Sequence, residues 1–236
     1  MRKLVFSLMV LACSGIKLQA QELSSSELLN KAIAFHDPNG QWNAFKGTFK
    51  VLMKTPNSND RLSTLSMNHP EQTFKLSVEK DGASYSYTFN GDRCITELNG
   101  STEISEEDRK KLRLTCERGK MMRNYYTYLY GLPMKLRDPG TILDSVVQTK
   151  TFKGKEYLVL KVNYDEEVGK DVWYFYFDPN TFAMEVYQFY HEEEKNDGEY
   201  ILLEGLEKIN GIKMPKVRAW YLNNTNKHLG TDYLEK

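Results

Sequence analysis

Several absences bound this 236-residue sequence. No apolar run is long enough to cross a membrane, because the longest, Leu4 to Cys13, falls short of the ~20 residues a spanning helix needs. No charge of one sign is in excess: 32 Lys+Arg balance 32 Asp+Glu. A chain without a basic field has little to offer phosphates, which argues against nucleic-acid binding as its main role. Cysteine is scarce, with three residues and no C-x-x-C pair, and no two histidines stand at H-x-x-x-H spacing. The nucleophile elbow G-x-S-x-G, the phosphate-binding loop and the dinucleotide glycine run are missing as well. The sequence therefore predicts neither a metal nor a cofactor, and no enzyme.

What is present begins with an address. Met1-Arg2-Lys3 is a basic head, Leu4 to Ala12 a short apolar core, and small or polar residues follow to Ala20, the build of an export signal. Two processing routes follow from it. One cuts after Leu18-Gln19-Ala20, leaving Gln21 as the mature amino terminus. The other reads Val10-Leu11-Ala12-Cys13 as a lipobox and makes Cys13 the acylated first residue. Removing residues 1–20 takes Arg2, Lys3 and Lys17 and no acid, so the exported chain is mildly acidic. Cys94 and Cys116 remain, in a compartment where disulfides persist; they are read either as a bridge or as two separate thiols.

Ser24 and Glu27 form a capping box, and Leu29, Ala32, Ile33 and His36 recur at helical spacing up to His36-Asp37-Pro38. The period then changes to two. Apolar and polar residues alternate through Phe45–Met53, Phe74–Val78 and Tyr85–Phe89, and Asn90-Gly91 turns the chain into Arg93–Leu98. A helical insertion starts at Ser105 and carries Met121, Met122, Tyr125, Tyr126 and Leu129 before Gly131-Leu132-Pro133. Strands resume over 143–152, 157–164, 172–177, 184–190, 200–209, 213–221 and 228–234, linked by Gly, Asn, Asp and Pro turns. The expected fold is mainly β (α+β): a curved antiparallel half-barrel of about eleven strands, covered by an N-terminal helix and the inserted helical segment. No linker divides the chain, so residues 21–236 are read as one domain.

The aromatic share, 15 Tyr, 11 Phe and 3 Trp, concentrates in these strands. In Asp171–Phe177, Trp173, Phe175 and Phe177 fall on one face and Val172, Tyr174 and Tyr176 on the other. Large side chains on both faces place the strand either between two layers or where a curved sheet lines a cavity. The cavity reading assigns an apolar ligand site to Phe49, Val51, Phe74, Leu76, Tyr85, Tyr87, Trp173, Phe175 and Phe177. Met121, Met122 and Tyr125 of the insertion would then form a deformable cover. The alternative is that these rings fill a solid core.

The run Phe177-Asp178-Pro179-x-Thr181, a returning strand with Tyr187, Gly198-x-Tyr200 and Ile209-Asn210-Gly211-Ile212-Lys213-Met214-Pro215 resembles the carboxyl half of periplasmic outer-membrane lipoprotein carriers (LolA/LolB-like). Ala34 to Trp42 and Tyr128 to Pro133 resemble an exported Bacteroidetes family that brings no assigned activity. The resemblance implies the half-barrel and a lipid, an acyl chain or a lipoprotein as hydrophobic partner. It also implies a periplasmic monomer, or an outer-membrane lipoprotein if Cys13 is acylated, with peripheral association with the outer membrane. In the carriers an early-strand Arg contacts lipoprotein; Arg61 is the nearest position here, without the flanking pattern. Two other readings stand beside a non-enzymatic lipid binder: an envelope interaction module with a packed core, and a hydrolase using His36 and Asp37.

Overall fold

The computed structural model describes residues 23–236; the export-signal reading, with Cys13, Ala20 and Gln21, lies outside the described residues. Helix α1 (Ser25–His36) starts where Ser24 and Glu27 satisfy each other's backbone donors, as a capping box requires. A meander of five strands follows: β1 (Lys46–Thr55), β2 (Ser58–Asn68), β3 (Thr73–Lys80), β4 (Ala83–Asn90) and β5 (Arg93–Leu98). Helices α2 (Glu106–Leu112) and α3 (Cys116–Gly131) form the insertion. The rest is strand: β6 (Thr141–Leu143), β7 (Gln148–Phe152), β8 (Lys155–Tyr164), β9 (Val172–Phe177), β10 (Met184–Tyr190), β11 (Glu199–Ile209), β12 (Ile212–Leu222) and β13 (His228–Glu235).

All thirteen strands join one antiparallel sheet in the order β5-β4-β3-β2-β1-β13-β12-β11-β10-β9-β8-β6, with β7 also on β8. The last strand pairs with the first through Val51 and Leu234, so the chain's two halves share one continuous surface. The sheet stays open, between β5 at one edge and β6 and β7 at the other. Tight turns set the register: Asn210 and Gly211, both at positive φ, leave Ile209 directly opposite Ile212.

The half-barrel expected from the sequence is the observed fold, with thirteen strands in place of about eleven. Strand β2 escapes the alternation pattern because a serine occupies one of its buried positions, Ser63, beside Leu65 and Met67. The span read as 143–152 is two strands, β6 and β7, both lying along β8.

Two apolar clusters occupy the two faces. The concave cluster includes Leu28 and Ala32 of α1, Phe49 and Val51 of β1, Leu76, Tyr87, Phe175, Phe177 and Tyr187. Each large side chain sealed there contributes ~1.5–3 kcal/mol of burial. The convex cluster gathers Tyr157, Val159, Tyr174, Tyr176 and Val186, with Phe152 and Tyr190 packed beside them. Neither alternative for the two-faced β9 strand describes this outer side. It is roofed by lysine stems rather than by a second layer, with the Lys150 ammonium 3.9 Å from the Tyr174 ring centre and Lys153 4.8 Å from that of Tyr200.

Candidate functional site

Helix α3 lies across the concave face and touches both halves of the sheet. Arg61 on β2 donates to the Tyr126 hydroxyl at 3.2 Å, Arg218 on β12 donates to the Leu129 carbonyl at 3.3 Å, and the Tyr128 and Tyr164 hydroxyls meet. Its first residue is tied to β5, with the Cys94 and Cys116 sulfurs 2.12 Å apart. Thr115 caps the helix by accepting from the Arg118 N–H. Two glycines let the helix settle: a Cβ on Gly119 would stand 2.7 Å from Tyr87, and one on Gly131 would enter the Trp42 indole.

Two cavities flank the helix. The apolar chamber has a volume of about 470 Å³ and is walled by Met53, Leu129, Phe189, Trp220 and Leu229, with Glu199 as its one acidic side chain. Burial pushes the Glu199 carboxyl above its ordinary value. The larger cleft, about 960 Å³, runs from Trp42 and Phe74 past Arg123 and Lys135 to Tyr164 and is polar by comparison. Tyr125, Tyr128 and Trp173 line both, so three aromatic rings form the partition. Tyr125 stacks on Trp220 with ring centres 6.4 Å apart, and Trp173 stacks on Phe189 at 4.8 Å.

Of the ligand-site residues read from the sequence, Trp173 and Tyr125 line both cavities, and Phe74 lines the cleft. Phe49, Val51, Leu76, Tyr87, Phe175 and Phe177 are sealed in the core below and line neither. Tyr85 and Met122 are half-buried against that core, while Met121 is 48% exposed on the outer side of α3. The apolar stripe is therefore narrower than the sequence suggested and is carried by Tyr126, Leu129 and Tyr130. Met53, Tyr128, Phe189, Trp220 and Leu229 belong to the chamber and were not picked out. Their signal was weak, since each stands at the rim of a strand or helix whose central residues make the alternation. Met53 alone was already on the inward side of a recognised strand.

The His36–Asp37 hydrolase reading does not survive. Met184 N–H donates to His36 Nε2 at 2.9 Å, so that nitrogen is the acceptor, and Nδ1 donates to the Lys213 carbonyl at 2.7 Å. Burial holds the imidazole near a pKa of about 4, neutral and fully used as a staple between α1, β10 and β12. The Asp37 carboxylate accepts from the Gln41 and Trp42 N–H groups at 2.7 and 2.8 Å. His69 donates to the Trp42 carbonyl, and His191 pairs with Asp171 at 2.8 Å, in separate places. Among the described residues no three His, Cys, Asp or Glu side chains come together as a metal site, and no helix is long and apolar enough to cross a membrane.

Over residues 3–235 the sequence matches a family of unknown function, DUF6503. The chain belongs to that family. No curated protein matches this DUF6503 chain. Among solved structures it is similar to a LolA superfamily protein from Nitrosomonas europaea at 11% identity, over 90% of this chain and 92% of that one, with a TM-score of 0.53. It is also similar to a putative outer membrane lipoprotein-sorting protein domain from Vibrio parahaemolyticus, at 13% identity over 89% and 88% of the two chains, TM-score 0.44. A DUF1329 family protein from Desulfovibrio piger matches at 8% identity over 89% and 91%, TM-score 0.47. The first of these shares the open half-barrel fold of the DUF6503 chain.

Proposed function

We propose that this is an exported, non-enzymatic cell-envelope protein that holds a lipid or another hydrophobic ligand between α3 and the concave sheet. The observation that carries the reading is the apolar chamber of about 470 Å³ walled by Met53, Leu129, Phe189, Trp220 and Leu229. Its size falls in the range of small-molecule pockets, and an apolar, largely aromatic wall with a single carboxyl suits an aliphatic chain better than a polar substrate. The sequence resemblance of residues 177–215 to lipoprotein carriers agrees with a lipidated partner, and the resemblance to exported Bacteroidetes proteins agrees with the location. In this reading the signal is cut after Ala20, or Cys13 anchors the protein to the outer membrane, and residues 21–236 act as one monomeric carrier domain.

Native mass spectrometry of protein purified from its own host tests this directly. A retained mass that dissociates as a lipid is the expected result, together with saturable binding of an apolar fluorescent probe that Trp220→Ala weakens. Absence of both would overturn the proposal and leave the packed-core interaction module.

A further inference from the structure

Behind the apolar chamber, directly opposite residues on four neighbouring strands place Arg61, Met53, Asp232 and Arg218 in one row on the concave face. Met53 belongs to the chamber wall, as does Leu129, whose carbonyl accepts from Arg218. Two members of the row are buried, Arg218 at 1% exposed and Asp232 at 4%, and Arg61 and Met53 are half-buried. The Arg218 guanidinium lies 4.0 Å from the centre of the Tyr130 ring.

This cluster is short of partners. Arg61 Nε, Arg218 Nε, the Tyr130 and Tyr187 hydroxyls and Asp232 Oδ1 are all buried without a hydrogen bond. Among the described residues only His69 Nε2 shares that condition. Buried polar groups are normally satisfied, and five unsatisfied ones in a single place mark a position for something polar. Charge says what kind. Two guanidiniums face one carboxylate, and no ion pair joins either of them to Asp232 within 4.0 Å. One added monoanion balances two cations with two anions, which is the condition a buried site favours.

We infer that the ligand is a single-chain amphiphile with a carboxylate head, its aliphatic chain in the apolar chamber and its head on Arg218, Arg61, Tyr130 and Tyr187. This rests on the chamber being a lipid site. A carboxylate accepts well from guanidinium and phenol donors, and Met53, unbranched and deformable, separates the head site from the chain site.

The test compares palmitate with 1-hexadecanol, which has the same chain and no charge, by tryptophan quenching at pH 8. Palmitate should bind at least about ten-fold tighter, the scale of one charge-assisted hydrogen bond. The Tyr130→Phe/Tyr187→Phe double variant removes two buried hydroxyls without hydrogen bonds, so it should keep the parent's urea midpoint, and hexadecanol, which gains only neutral hydrogen bonds there, should lose less affinity than palmitate. Its preference for palmitate should fall by about ten-fold or more. Equal binding of the two probes by the parent, as expected if water alone serves the cluster, would overturn the head site and leave the lipid reading standing. Binding of neither would remove both. An unchanged preference in the folded double variant would also overturn the assignment.

Discussion

Acid should loosen this protein through His36, the more deeply buried of two histidines that burial keeps neutral. His36 is fully buried, with both ring nitrogens engaged by backbone groups of other elements, and the folded chain holds it neutral with a pKa of about 4 against 6.5 for a free imidazole. Above pH 6.5 the ring is neutral in both the folded and the unfolded chain, and its contribution to stability is fully present. As the pH falls from 6.5 towards 4, the unfolded chain takes up a proton that the folded chain refuses, so stability is lost across that window. At pH 5 the loss is ~2 kcal/mol, and below pH 4 it approaches ~3 kcal/mol. Urea unfolding at pH 7.5 and pH 5.0 measures it, with His36→Gln as the reference chain. The other histidines are common to both proteins, so their titration cancels in the difference. The parent should lose about 2 kcal/mol more than the variant between the two pH values. Because the variant can fold poorly, a direct titration of the His36 ring by NMR in the parent stands beside it. A ring that titrates near 6.5, or identical pH dependence in both chains, would refute the assignment of His36 as a buried neutral staple.

Wall and floor of the concave face should separate experimentally. Trp220→Ala on the chamber wall should weaken apolar-probe binding about ten-fold and cost less stability than Phe175→Ala in the sealed floor, which should lower it by about 3–5 kcal/mol, read by urea titration. Gly131→Ala should destabilise by about 1–3 kcal/mol, because the added methyl meets the Trp42 indole where α3 ends; thermal melts compare it with the parent. Breaking the Cys94–Cys116 link by a double Ser substitution should cost about 3 kcal/mol, the loop-closure value for a separation of 22 residues. The same measurement under reducing conditions should bring the parent down to the level of that variant.

Much of the architecture was already written in the order of the residues. Alternation with period two, Asn-Gly and Asp-Gly turns and a capped first helix are local signals, and each acts through the backbone geometry of a few neighbouring residues. They suffice to specify an antiparallel meander with a helical insertion. β2 was the exception, because an inward-facing Ser63 satisfies the Tyr126 hydroxyl and so looks polar in a one-dimensional pattern. Local signals also suffice for the two faces of β9, since Trp173, Phe175 and Phe177 must point away from Tyr174 and Tyr176.

What alternation cannot tell is how deep each inward residue lies. Phe49, Phe175 and Trp173 have the same pattern in sequence, yet two are floor and one is wall, because burial is decided by where α3 crosses the sheet. That crossing is set by contacts far apart in the chain: Gly131 beneath Trp42, Cys116 beside Cys94, and Arg218 beneath Leu129. The row of Arg61, Met53, Asp232 and Arg218 is likewise invisible in sequence, where its members lie on β2, β1, β13 and β12. By itself the sequence determined the strands, their faces and the curvature they demand, since these follow from chain geometry. Only the tertiary structure decided which aromatic rings enclose space and which fill it, and where charge is left buried without a partner, because those depend on distances between segments that no local rule relates.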